Sequence, residues 1–268
     1  MRMLVHALVS ALRPARFRGK ARLLSPLVPQ SGERTATVFG AHIDLDLRDL
    51  VQREIYLGVF EPKETRWALD WLRPGMTFVD AGANVGYYTL LAAQRVGRGG
   101  GVLAIEPGPY AYGRLRETVS RNGLDQVRTL QVALGETPGT LPLYVPPDGS
   151  RNYSPTMVPH ASATAVDTTV RTLDDCLAEW EVERIDLLKL DVEGFEPAVL
   201  RGARRALAEG RIGAVLCEFN DYWLRETGAS PTALYQMLTT TGLADREPFR
   251  PFAPGCVETR FFVRRRDG

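Results

Sequence analysis

The stretch FVDAGANVGYY, residues 78–88, decides the fold that we predict for this 268-residue chain. An apolar run ends at Asp80, glycines follow at positions 82 and 86, and VGYYTLLAAQRVG continues with the pattern of a helix. A strand, a tight glycine turn and a helix in this order are typical of nucleotide-cofactor sites in α/β proteins. The stretch therefore predicts such a site at the carboxyl end of a strand.

Further strands and helices alternate after this stretch. VLAIEP, RIDLLKLDVEG and RIGAVLCEFN have the composition of buried strands, and EPAVLRGARRALAEG and SPTALYQMLTTTG have that of helices. Strands that are apolar on both faces predict a mostly parallel sheet with helices on both sides. We also expect one helix over residues 57–72, one strand over VRTLQVALG, and an edge strand at ETRFFVRRR near the end of the chain.

Two segments stand apart from this alternation. Residues 1–60 combine a basic helix with the hairpin pattern TVFGAHIDLDL, and we interpret them as an extension that serves as a lid or a dimer contact. Residues 61–268 then form the cofactor-binding domain. The polar segment 146–167 is long for a loop inside a domain, which indicates that it is either functional, closing over the site, or mobile.

The composition limits the classes of molecule that we expect this chain to bind. The 33 basic and 32 acidic residues give a net charge of +1, whereas nucleic-acid-binding domains carry a basic excess. No apolar stretch approaches the ~20 residues that a membrane span needs. The three cysteines are far apart in sequence, which fits a reducing compartment. We therefore expect a cytoplasmic protein that binds a small molecule and contacts neither nucleic acid nor a membrane. A homo-oligomer is possible, and the sequence does not determine the oligomeric state.

The glycine turn indicates which cofactor it suits. A dinucleotide site needs the spacing G-x-G-x-x-G, but Asn84 stands where the middle glycine would let a pyrophosphate approach. Asp80 would repel a phosphate and attract a cation. Both features predict S-adenosylmethionine, which has an adenosine and no phosphate. Glu106 ends the next strand about 20 residues later, where an acid reaches ribose hydroxyls, and Ala133 and Leu134 end the third strand beside the expected adenine.

The fourth strand, LLKLDVEGFEP, places Lys189, Asp191, Glu193 and Glu196 around a glycine. Because charges are rarely buried without partners, this cluster predicts a site. Asp191 is the candidate base for an acceptor hydroxyl, or alternatively a ligand of a divalent cation. Glu193 and Glu196 either belong to the site or cap the following helix. His160 in the polar loop is a second candidate base.

The order of these motifs over residues 55–220 closely resembles the FkbM family of S-adenosylmethionine-dependent methyltransferases, and LKLDVEGFE is the most diagnostic part. The resemblance implies a Rossmann-like class I methyltransferase fold with seven strands, the last antiparallel, and methyl transfer to a hydroxyl of a natural product, sugar or polyketide. By position it implies a cofactor site with ribose bound at Glu106 and catalytic acids at Asp191 and Glu193. It also implies that Glu61 either reaches the cofactor ammonium or caps the helix that follows it. The remaining cofactor-binding positions are Asp80, Gly82, Asn84, Gly86, Tyr87, Pro107 and Asp191.

Other functions remain open at this point. The acceptor atom could be a nitrogen or a carboxyl group of a small molecule or peptide. A nicotinamide-dependent oxidoreductase would use a similar sheet, although Asn84 and the lack of a matching Tyr–Lys pair argue against it. A scaffold that keeps the fold without catalysis is the third alternative.

Overall fold

A computed structural model describes Val9, residues 11–12, 20–145, 156–159 and 163–265 of the chain. Its helices are α1 Lys20–Leu24, α2 Leu50–Leu57, α3 Pro62–Trp71, α4 Tyr87–Val96, α5 Pro109–Arg121, α6 Leu173–Glu179, α7 Glu196–Gly202, α8 Arg204–Ala208, α9 Asp221–Glu226 and α10 Pro231–Thr240. Its strands are β1 Glu33–Val38, β2 Ala41–Asp46, β3 Thr77–Ala81, β4 Gly101–Ile105, β5 Val127–Leu130, β6 Ala133–Leu134, β7 Gly139–Val145, β8 Thr164–Arg171, β9 Leu187–Leu190, β10 Ala214–Asn220, β11 Leu243–Asp245 and β12 Val257–Arg264.

Within these described residues, seven strands form the central sheet in the order β11–β12–β10–β9–β3–β4–β5. The neighbours from β10 to β5 pair in parallel, and β12 runs antiparallel to both β10 and β11. The central strands are buried throughout, with helices on both faces. The predicted mostly parallel α/β fold with an antiparallel last strand is therefore confirmed.

The order of the strands places the functional end of the sheet. The chain moves outward from β3 to β4 and β5, then returns to the other side of β3 with β9. Ligands of such sheets bind outside the carboxyl ends of the strands at this change of direction. The turns that follow β3 and β9 thus lie side by side at the expected site.

Three local predictions were wrong. Residues 57–72 form no single helix, because α2 ends with Gly58 in the left-handed conformation (φ 67°) and α3 begins at Pro62. VRTLQVALG divides into β5 and β6, which belong to different sheets. The last strand, β12, is no edge strand, since it lies between β10 and β11.

The segment before α3 contributes to the main core. The hairpin β1–β2 and α2 bury Ile43, Leu45 and Ile55 in the same hydrophobic cluster as Phe78 of β3 and Leu90 of α4. A second cluster fills the other face of the sheet. None of the helices in the described ranges is long and apolar enough to cross a membrane.

Candidate active site

One cavity opens at the carboxyl ends of the central strands. Its walls are two turns: the glycine turn, residues 82–86 after β3, and the acidic turn, residues 191–194 after β9. The turns touch, because the Asp191 amide donates to the Ala81 carbonyl at 3.2 Å. A Cβ added to Gly82 would lie 1.8 Å from the Asp191 carbonyl oxygen, and Gly82 has a φ of 84°. Only glycine allows this approach.

Most of the predicted site residues meet in this cavity. Those in its lining are Glu61, Gly82, Asn84, Tyr87, Glu106, Pro107, Ala133, Leu134, Asp191 and Glu193. Gly86 is not part of the lining, and a Cβ added to it would lie 2.9 Å from the side chain of Leu115 in α5. Asp80 is buried below the glycine turn and accepts a hydrogen bond from Thr89 Oγ1 at 2.7 Å. His160 lies outside the described residues.

Glu106 connects the glycine turn to the next helix. Its Oε2 accepts the Asn84 amide and its Oε1 accepts the Gly108 amide, both at 2.8 Å. Burial raises the pKa of this carboxyl to about 7, although both N–H groups oppose the shift. A carboxylate has about four acceptor positions, so two remain for ribose hydroxyls. The same carboxyl can therefore hold the start of α5 and accept the predicted ribose hydroxyls.

Glu61 faces the cavity and does not cap α3. It occupies the N-cap position with a φ of 37°, and its side chain makes no capping hydrogen bond. Its Oε2 instead accepts the Tyr88 hydroxyl at 2.5 Å. Burial raises the pKa of this carboxyl to about 7, and Lys189 opposes that shift. An acid in this position suits a cationic ligand.

The acidic turn is held by a buried carboxyl. Glu196 Oε1 accepts the amides of Val192 at 2.9 Å and Gly194 at 3.2 Å, and burial raises the pKa of this carboxyl to about 7. Glu193 has a φ of 53° and lines the cavity. Glu196 is thus the residue that organises the turn, whereas Glu193 faces the ligand.

Asp191 forms an ion pair in the lining of the cavity. Lys189 Nζ lies 2.6 Å from Asp191 Oδ2, and the Asp191 side chain is 25% exposed. Among the described residues, no group of three or more histidines, cysteines and acids is arranged to hold a metal ion. The partner that the structure gives Asp191 is the Lys189 ammonium, and the alternative of a divalent cation at Asp191 stays a prediction.

Several lining residues were not assigned by sequence reasoning. Lys189 and Glu218 were visible as charges at the ends of apolar strands, and burial raises the pKa of the Glu218 carboxyl. The further wall is apolar and comes from distant segments that carry no motif, so nothing in their sequence could have revealed it. These residues are Val51, Ile55, Phe60, Leu143 and Met157. Tyr88 and Phe195 also line the cavity, and they belong to the motifs FVDAGANVGYY and LLKLDVEGFEP.

Comparison with known proteins decides the family. The profile described as the Methyltransferase FkbM domain matches residues 80–246, which include both turns and every strand from β4 to β11. The chain belongs to the FkbM methyltransferase family.

Individual FkbM-family relatives match over part of their length. Methyltransferase sdnD of Sordaria araneosa is 34% identical over 46% of this chain and 59% of its own length. The 31-O-demethyl-FK506 methyltransferase FkbM of Streptomyces tacrolimicus is 30% identical over 56% of this chain and 67% of that protein. The chain thus spans less than two thirds of the length of methyltransferase sdnD. The crystal structure of Methyltransferase FkbM from Methylobacillus flagellatus KT aligns with a TM-score of 0.45 at 19% identity, over 80% of this chain and 52% of that one.

The cavity fits the cofactor of this family. Its acids, Glu61, Glu106, Asp191, Glu193 and Glu218, suit the ammonium and sulfonium of S-adenosylmethionine. Val132, Ala133 and Leu134 supply an apolar wall. Below the glycine turn, Asp80 Oδ1 is buried without a hydrogen-bond partner among the described residues. A buried acid of this kind favours a nearby cation.

Proposed function

We propose that this chain methylates a hydroxyl oxygen of a small-molecule acceptor, such as a sugar, a polyketide or another natural product, with Asp191 as the group that takes the hydroxyl proton. The observation that carries the proposal is the Asp191 carboxylate in the cavity wall, held at 2.6 Å by Lys189. An ion pair holds a carboxylate in one orientation, which a base aimed at a bound hydroxyl requires.

The cofactor supplies a methyl group that its positive sulfur already activates. The protein therefore has to align the acceptor and remove its proton. Glu106 and the glycine turn would hold the adenosine and Glu61 the ammonium. Glu193 and Glu218 would contact the acceptor beside Asp191, since all three line the same wall.

Two segments support closure over the acceptor. Thr156 forms a bridge with Tyr144 of β7, and its Oγ1 lies 3.4 Å from the Glu193 carbonyl oxygen. Val51 and Ile55 of α2 line the cavity from the other direction. We therefore propose that residues 1–60 and the polar loop 146–167 help to exclude water from the site and select the acceptor.

The acceptor chemistry follows from the charge of the cavity. A carboxylate acceptor would meet Asp191, Glu193 and Glu218, which disfavours carboxyl methylation. A hydroxyl or an amine brings no negative charge. The name of the relative that acts on 31-O-demethyl-FK506 states an oxygen acceptor for that protein, and this supports the hydroxyl over the amine.

The test combines turnover with cofactor binding. We expect Asp191→Asn to lower methyl transfer from labelled S-adenosylmethionine to hydroxylated glycosides and macrolides by ~10²–10⁴-fold, the usual contribution of a general base. Affinity for S-adenosylhomocysteine, measured by calorimetry, should change little. Asp125→Asn is the matched control, because Asp125 is exposed and far from the cavity lining. Full turnover by Asp191→Asn would refute the role of this residue.

A further inference from the structure

Lys189 is a buried cation whose role so far is to hold Asp191, and no contact with a ligand has been assigned to it. It is one of three lysines in the chain, next to 30 arginines, and it lies in β9 facing the cavity. Among the described residues that line the cavity, it alone carries a positive charge. Burial would lower the pKa of Lys189, but Asp191, Glu61 and Asp80 together raise it above its ordinary value. Lys189 is therefore an ammonium at any physiological pH.

Tyr88 lies between this cation and an acid. Lys189 Nζ lies 4.9 Å from the centroid of the Tyr88 ring, and the hydroxyl of the same ring donates to Glu61 Oε2 at 2.5 Å. The register also places Lys189 beside Asp80 on the neighbouring strand. The cavity lining thus presents a positive group over the face of one buried aromatic ring and a negative group at the hydroxyl of the same ring.

The cofactor has a complementary pair of charges. S-adenosylmethionine ends in an amino acid, with one ammonium and one carboxylate on the same carbon. The many acids of the cavity favour the ammonium and repel the carboxylate. The carboxylate therefore needs a cation, and a lysine ammonium with three N–H donors can serve a second acceptor besides Asp191.

We propose that Lys189 and Glu61 recognise the amino-acid end of the cofactor as a zwitterion, with Lys189 Nζ donating to the carboxylate and Glu61 accepting from the ammonium. This inference rests on the methyl-transfer function proposed above, but it does not depend on Asp191 as the base. Lys189 then determines specificity for the carboxylate. It also holds Asp191, so one side chain links cofactor binding to the acceptor side.

Binding of three adenosine thioethers tests the proposal without an acceptor. The probes are S-adenosylhomocysteine, its decarboxylated analogue, and 5′-methylthioadenosine, which lacks the whole amino-acid end. Calorimetry on the full chain should show that the wild type prefers S-adenosylhomocysteine over the decarboxylated analogue by ~10–100-fold, the range for a charge-assisted hydrogen bond. Lys189→Met should remove that preference and leave the affinity for 5′-methylthioadenosine nearly unchanged.

Two further variants separate recognition from stability. Lys189→Arg keeps the charge and should retain part of the preference, whereas Lys63→Met removes a half-exposed lysine outside the cavity and should retain all of it. If Lys189→Met does not fold, Glu61→Gln and the wild type decide the question. Glu61→Gln should lose discrimination against a deaminated analogue and keep the preference for the carboxylate.

The binding measurements distinguish recognition of the carboxylate from a purely structural role of Lys189. Equal weakening of all three probes by Lys189→Met would show that Lys189 only supports the fold, and no carboxylate preference in the wild type would overturn the proposal directly. Neither result concerns the acceptor chemistry. The proposed function fails separately, if Asp191→Asn keeps full turnover while S-adenosylhomocysteine binds normally.

Discussion

The glycine turn and the acidic turn end neighbouring parallel strands and touch each other, yet they are built in different ways. Backbone geometry determines the glycine turn, since Gly82, Asn84 and Gly86 all have positive φ. Side-chain charge determines the acidic turn, where Glu196 holds the amides and Lys189 holds Asp191. We therefore expect the largest loss of stability from a change at Gly82 in the glycine turn, and the largest change in chemistry from a change at Asp191 in the acidic turn.

The largest effect is expected at the contact between the turns. Gly82→Ala adds a Cβ that would overlap the Asp191 carbonyl oxygen and strains a residue at φ 84°. We expect a loss of about 3 kcal/mol or more in the free energy of unfolding, together with loss of S-adenosylhomocysteine binding. Chemical denaturation and calorimetry measure the two effects.

Gly75→Ala is the matched control for this substitution. Gly75 has the same φ of 84°, but an added Cβ would meet nothing within 4 Å. We expect a loss of about 1 kcal/mol from backbone strain alone, with cofactor binding retained. Equal losses at both positions would mean that the contact between the turns contributes nothing.

The next effect concerns the side chain that organises the acidic turn. Glu196→Ala leaves the buried amides of Val192 and Gly194 without their acceptor, which we expect to cost about 2–3 kcal/mol of unfolding free energy. Glu196→Gln keeps an acceptor oxygen and should cost less than about 1 kcal/mol. If the two variants are equally stable by denaturation, the turn does not depend on these hydrogen bonds.

A further effect should appear as a pH dependence of stability. Burial raises the pKa of Glu106 and Glu196 to about 7 from the ordinary value of 4.5, so the folded chain binds more protons than the unfolded chain between these pH values. The free energy of unfolding of the cofactor-free protein should therefore fall as the pH rises from about 4.5 to about 7, with a slope of up to about 1.4 kcal/mol per pH unit for each of the two groups. Three other carboxyls have a lowered pKa and therefore change stability only at pH values below this range: Asp44, Asp221 and Glu247.

Denaturation at several pH values from about 5 to about 8 measures this slope. Glu106→Gln removes one of the titrating groups and should flatten the curve. A stability that rises through the same window would contradict the expected ionisation of these buried acids.

The two turns also differ in how far sequence predicts them. The spacing of Gly82, Asn84 and Gly86 specifies a backbone path, so the fold and the identity of the cofactor followed from it. The acids after β9 were recognised as a site, but their division of roles depends on distances: Glu196 holds amides and Asp191 pairs with Lys189. Sequence spacing contains no such distances.

The rest of the cavity could not be predicted for a physical reason. Val51, Ile55 and Met157 reach it from segments far away along the chain, and their residue types are those of any hydrophobic core. The split of VRTLQVALG between two sheets has a similar origin, because tertiary pairing rather than local composition separates β5 from β6.

The measurement that tests the central claim most directly is the affinity of S-adenosylhomocysteine for the wild type and for Glu106→Gln, with Glu117→Gln on the exposed face of α5 as control. If the cofactor lies between the two turns with its ribose on Glu106, the first variant should bind ~10–100-fold more weakly and the control should bind like the wild type. Undiminished affinity in Glu106→Gln would contradict the placement of the cofactor in this cavity.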